Sequence, residues 1–237
     1  MTEAEWLAAT DPQPMLECLG GKAVATERKL RLFAASCCRQ FWHLLPDGRS
    51  QQAVDVAERF ADGYADEAER SAADTAATTA ARDAILARQA SDSIPEMLTL
   101  AAKAANHSVI RDVDPEAAGA TVAAYRLIAR NPDSGLHSRL AVNVASSASL
   151  RDIFGNPFRP APAVDPAWRG GTAAQLAHAA YEHRRLPEGT LNPARLTILA
   201  DALEDAGCTD ADLLGHLRGP GPHVRGCWAV DLILGKS

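Results

Sequence analysis

Apolar residues along this chain recur at helical spacing and rarely alternate. Across residues 26–45, Leu30, Phe33, Cys37, Phe41 and Leu44 fall on one stripe of a 3.6-residue period, opened by Thr26 as N-cap. The same period places Val54, Val56, Ala57 and Phe60 on the inner face of a helix capped by Ser50. It places Leu196, Leu199, Ala200 and Leu203 on one that ends at Gly207. Residues 65–90 are alanine, threonine and charge with almost no large side chain, which predicts a helix of about seven turns packed by a narrow seam against one neighbour.

Helix starts are marked by Asp-Pro or Asn-Pro pairs at Asp11, Asp114, Asn131, Asp165 and Asn192, each a capping side chain followed by a ring preset for the first turn. Thr2 with Glu5 forms a capping box ahead of residues 3–9. Pro46-Asp47-Gly48 turns the chain, and further helices are expected over 95–106, 115–130, 135–150 and, capped by Thr172, 172–185. Strand signals are poor, with few β-branched alternations and no Asn-Gly turn. The expected fold is all-α, a multi-helix bundle or helical array. Residues 150–168 change character, because Pro157, Pro160, Pro162 and Pro166 stand among Ile153, Phe154, Phe158 and Trp168. A flexible linker would be polar, so this stretch is expected to be a packed proline/aromatic strap between helical regions 1–149 and 169–237, which can share one core.

Composition narrows the partners. Hydrophobic residues make up 47% of the chain but aromatics only 5%, so interfaces should be thin and helices many. A net charge of −6 gives no general attraction to nucleic acid or anionic membranes. The basic residues Arg28, Lys29, Arg31 and Arg39 then read as a solvated helix face. Five cysteines, with Cys37 and Cys38 adjacent, do not suit a secreted disulfide framework; no basic-then-apolar leader opens the chain, and no apolar run reaches the roughly 18 residues that span a bilayer. A cytoplasmic protein without a membrane partner is expected.

Candidate chemistry gathers at the C-terminal end. Thr209 is expected to cap a short helix carrying Leu213, Leu214 and Leu217, and Arg218-Gly-Pro-Gly-Pro222 stops it. Pro222 is expected at the first turn of a last apolar helix, with Trp228 buried against the helix of Leu196 and Leu203. Cys208, His216, His223 and Cys227 offer the two thiols and two imidazoles of a closed zinc site, although their spacing matches no standard finger and each could instead fill core space. Cys227 with His216 or His223 as base and Asp231 as orienter would make a nucleophile, but Trp228 and Val230 argue that the thiol is covered. Arg218, His223 and Arg225 flank a loop leading to a helix N-terminus, a candidate anion site whose alternative is pairing with carboxylates such as Glu204 and Asp205.

The blocks LRDIFGNPFRP (150–160), ILADALEDAGC (198–208) and RGPGPHVRGCW (218–228), with MTEAEWL (1–7) and RKLRLFAASCCRQFWH (28–43), resemble those of a large bacterial paralogous family of uncharacterised proteins over nearly the whole chain. The resemblance implies membership without an assigned activity. Leu217 stands where members of that family often carry cysteine, which counts against a metal site there. No motif demands an enzyme. The expected function is a helical protein-interaction or regulatory module without catalytic activity and without a cofactor, its partner another protein. The alternative is a zinc-binding protein or enzyme centred on the C-terminal His/Cys cluster.

Overall fold

A computed structural model describes every residue except 46, 92–94, 133–137, 161 and 237. Its described residues form thirteen α-helices and no strand, the all-α array expected. The helices are α1 (Glu3–Ala8), α2 (Pro12–Leu19), α3 (Glu27–Gln40), α4 (Gly48–Ala61), α5 (Glu67–Ala90), α6 (Glu96–Val109), α7 (Pro115–Ile128) and α8 (Arg139–Phe154), then α9 (Pro166–Gly170), α10 (Thr172–Glu182), α11 (Pro193–Asp205), α12 (Ala211–Leu217) and α13 (Trp228–Leu234).

Local capping chemistry sets most of the starts. Thr2 and Glu5 close the capping box, and the side chains of Asp11, Thr26, Asp114 and Asn192 accept amide hydrogen bonds at the starts of α2, α3, α7 and α11. Several expected boundaries move. Asp47 rather than Ser50 caps α4, Asp210 rather than Thr209 caps α12, and Gly171 rather than Thr172 precedes α10. Pro222 does not open the last helix, which begins six residues later at Trp228. Pro46 and the helix start expected at Gly135 lie outside the described residues, as does the stretch after Asn131-Pro132; α8 is capped by Ser138.

α3 is buried from Lys29 through Arg39, so the solvated basic face expected there does not exist. The Arg31 guanidinium donates to the carbonyls of Ser108 and Ile110, which the end of α6 leaves without intrahelical partners, and to that of Arg111 just beyond. Arg39 is held by Asp55 and Glu58 and lies 4.5 Å over the Trp42 ring. Arg28 spans Asp62 and Asp231. These carboxylates and carbonyls come from distant segments, and they make the polar side of α3 an interior surface. α5 packs its alanine seam, Ala73, Ala77, Ala80 and Ala81, against both α4 and α6 rather than one neighbour.

The strap begins later than expected, because α8 continues through Leu150 to Phe154 and Gly155 ends it at a φ of 64°. Around this end, Trp6 Nε1 donates to the Gly155 carbonyl at 3.0 Å, and Arg151 donates to the carbonyls of Trp6 and Ala9. Two main apolar clusters result. The first runs from Trp6 to Phe154 and takes in Val224; the second runs from Trp168 to Ile233. Trp228 is half-buried rather than fully buried, packed on the second cluster, which includes Leu196 and Leu203 of α11, and also against Gly155 and the His216 ring.

Candidate metal centre

The strongest convergence of chemistry lies where the end of α8 meets the α12–α13 turn. Asp152 is fixed on α8 between Leu150, Ile153 and Phe154, all packed in the first core, and its own exposure is 2%. His216 projects from the last turn of α12, His223 from the Gly-Pro loop, and Cys227 from the position just before α13. One ligand-type atom from each of the four lies within 4.8 Å of all the others.

The contacts have a definite sense. Asp152 Oδ1 lies 2.8 Å from His223 Nδ1 and 3.1 Å from His216 Nε2, while Oδ2 accepts from the Val224 amide at 2.8 Å. His216 Nε2 is 3.2 Å from Cys227 Sγ. The other nitrogen of His223, Nε2, faces the Gly219 carbonyl at 3.2 Å. Both His223 nitrogens therefore face acceptors, an arrangement fully satisfied only by the doubly protonated ring. Burial lowers the His223 pKa, but Asp152 and the Gly219 carbonyl outweigh it and raise the group above its ordinary value. Burial pushes the Asp152 carboxyl up, and the His216 and His223 hydrogen bonds more than reverse this. Burial, reinforced by the charge of Asp152, raises the Cys227 thiol well above its usual pKa, with the Val230 and Ala229 amides acting in the opposite sense.

This geometry does not suit a nucleophilic relay. A relay needs one imidazole nitrogen on the thiol and the other on the orienting carboxylate, whereas His216 turns the same nitrogen to both. Asp231, the expected orienter, is instead engaged by Arg28 and the Tyr181 hydroxyl. The four donors meet at a point, as ligands do. Tetrahedral zinc with bonds of about 2.0–2.3 Å separates its donors by roughly 3.3–3.8 Å, so the pairs now at 2.8, 3.1 and 3.2 Å would open slightly, within a group of atoms that spans at most 4.8 Å, to admit the ion. The outer contacts fit as well: a ligating His223 Nδ1 would leave Nε2–H to donate to Gly219, and the free Asp152 oxygen already accepts a backbone amide.

Of the four zinc candidates read from the sequence, His216, His223 and Cys227 come together and Cys208 does not. Cys208 is buried in the second core, where its amide closes the end of α11 on the Leu203 carbonyl. Asp152 takes the fourth place. Its signal in the sequence was an acid set among Leu150, Ile153 and Phe154 at the apolar end of a helix. Arg218 pairs with Asp201 at 2.7 Å and with Glu204. Arg225 pairs with Asp62 at 2.5 Å. His223 faces inward to Asp152. The residues of the candidate anion site thus point to three different places, and α13 begins after them.

No family model matches this chain, and neither a curated protein nor a solved structure is similar to it. The centre is therefore read from its own geometry.

Proposed function

We propose that this is a non-catalytic helical protein with a buried structural zinc centre formed by Asp152, His216, His223 and Cys227, which fastens its C-terminal helices to its N-terminal ones. The observation that carries the reading is the convergence of four donor atoms within 4.8 Å, one from α8 and three from residues 216–227. One carboxylate, one thiolate and two neutral imidazoles would balance the charge of a divalent ion. Sulfur and nitrogen donors favour zinc over magnesium or calcium. When bound, the ion would supply a structural cross-link; the chain's part is to hold the donors, bury them and give up the thiol proton and the second His223 proton.

Elemental analysis and cobalt(II) substitution test the proposal. Purified parent protein and Cys208→Ala should carry stoichiometric zinc, whereas Cys227→Ala and His216→Ala should not. A parent protein that takes up neither zinc nor cobalt would sink it. A second reading, a protein-binding surface, has one specific support: Leu140 and Val144, one turn apart on α8, are 66% and 43% exposed, and Leu127 on α7 is 43% exposed, large aliphatic side chains left in solvent. Loss of a binding partner in Leu140→Lys, with zinc content unchanged, would assign that role to this face.

A further inference from the structure

Cys227 sits at the edge of α13, so its direction depends on how the backbone of residues 225–227 is held. Gly226 has a φ of 94°, and a Cβ there would lie 2.9 Å from Leu32 Cδ1, so this backbone is pressed directly onto α3. The polar ties around it all enter one buried network. The Tyr181 hydroxyl on α10 accepts from the Gly226 amide at 3.1 Å and donates to Asp231 Oδ1 at 2.7 Å. Asp231 receives both terminal nitrogens of Arg28, at 2.6 and 2.9 Å. Arg28 continues to Asp62 at 2.7 Å, and Asp62, its side chain fully buried, also receives Arg225 at 2.5 Å and Lys236 at 3.1 Å. The network thus leaves the loop at Gly226, crosses α10, α13, α3 and the end of α4, and returns at Arg225, holding the two residues that immediately precede Cys227.

We infer that this network is the outer shell of the metal centre and that Tyr181 is a positioning residue, aiming Cys227 Sγ at the ion through the Gly226 amide. The inference rests on the zinc reading. Ties of this kind fix ligand direction, and their loss weakens metal binding by about 10–100-fold.

The test is metal competition on the full chain. Tyr181→Phe removes one oxygen and keeps the ring; its zinc affinity against a chromogenic chelator should fall about 10–100-fold. Its cobalt(II) complex should show a weakened or shifted thiolate charge-transfer band, with stoichiometry at saturation unchanged. Arg225→Gln, which cuts the return tie to Asp62, should act in the same direction and serves if Tyr181→Phe folds poorly. Tyr125→Phe, at another buried tyrosine in the first core, should alter neither affinity nor spectrum. Equal cobalt affinity and spectrum in parent and Tyr181→Phe would overturn the positioning role while leaving the metal centre standing. A parent that binds no cobalt would remove both.

Discussion

Two kinds of buried polar cluster join the halves of this protein, and they differ in where the positive charge comes from. Around Asp62, Asp231 and Glu58 it belongs to the chain: Arg28, Arg225 and Lys236 meet the two aspartates, and Arg39 and Arg184 fork onto Glu58. Around Asp152, no arginine or lysine among the described residues donates a hydrogen bond to any of the four donors. The first kind is complete once the chain has folded. The second collects electron-pair donors whose compensation is a proton or a metal ion, and that compensation can be exchanged. Burial is common to both; what distinguishes a structural ion pair from a binding centre here is the chemistry of the partners.

The comparison breaks most readily at the chain-compensated cluster. Asp62→Ala leaves Arg28, Arg225 and Lys236 facing an uncharged, fully buried position, and removing one side of such a pairing costs about 3–5 kcal/mol. Urea unfolding should show a loss of that size, with or without zinc; an unchanged midpoint would mean the network is not formed. The cluster proposed to hold zinc should behave in the opposite way. Zinc at about a thousandfold excess over its dissociation constant should stabilise the parent by about 4 kcal/mol and a chelator should remove the gain, while Cys227→Ala should respond to neither.

Acid sharpens the contrast. Burial raises the Glu58 carboxyl pKa, but Arg184 and Arg39 outweigh it and hold the group below its ordinary value. A depressed folded-state pKa contributes stability that is fully present above the unfolded value of about 4.3 and is lost as pH falls through the folded value. Unfolding midpoints taken from about pH 6 down to pH 3 should therefore fall more steeply for the parent than for Glu58→Gln; parallel profiles would contradict the pairing. The smallest effect belongs to Arg218. Its partners Asp201 and Glu204 are largely exposed, and exposed pairs contribute little, so Arg218→Gln should leave both the thermal midpoint and the zinc affinity where they were.

Particular residues show how far a linear reading reaches. Asp11, Asp114 and Asn192 could be read as helix starts because a cap bonds an amide two or three residues away, wholly within the local sequence. Three of the proposed metal donors, His216, His223 and Cys227, were visible because they sit within twelve residues of one another in a stretch otherwise poor in polar side chains. Asp152 was not, since more than sixty residues separate it from His216, and its apolar neighbours Leu150, Ile153 and Phe154 hint at burial without pointing to a partner. Arg31 and Arg39 were misplaced on a solvated face for the same reason, their carbonyl and carboxylate partners being remote in sequence.

The sequence by itself determined the all-α class, most helix starts, the alanine seam of α5 and the chemical types available near the C-terminus, because periodicity and capping are short-range effects. Tertiary structure alone decided that the basic side of α3 is interior, that Cys208 fills a core, and that Asp152 joins His216, His223 and Cys227. Those outcomes depend on which distant groups compensate a buried charge, and a charge of either sign carries no local mark of the partner that folding will bring to it.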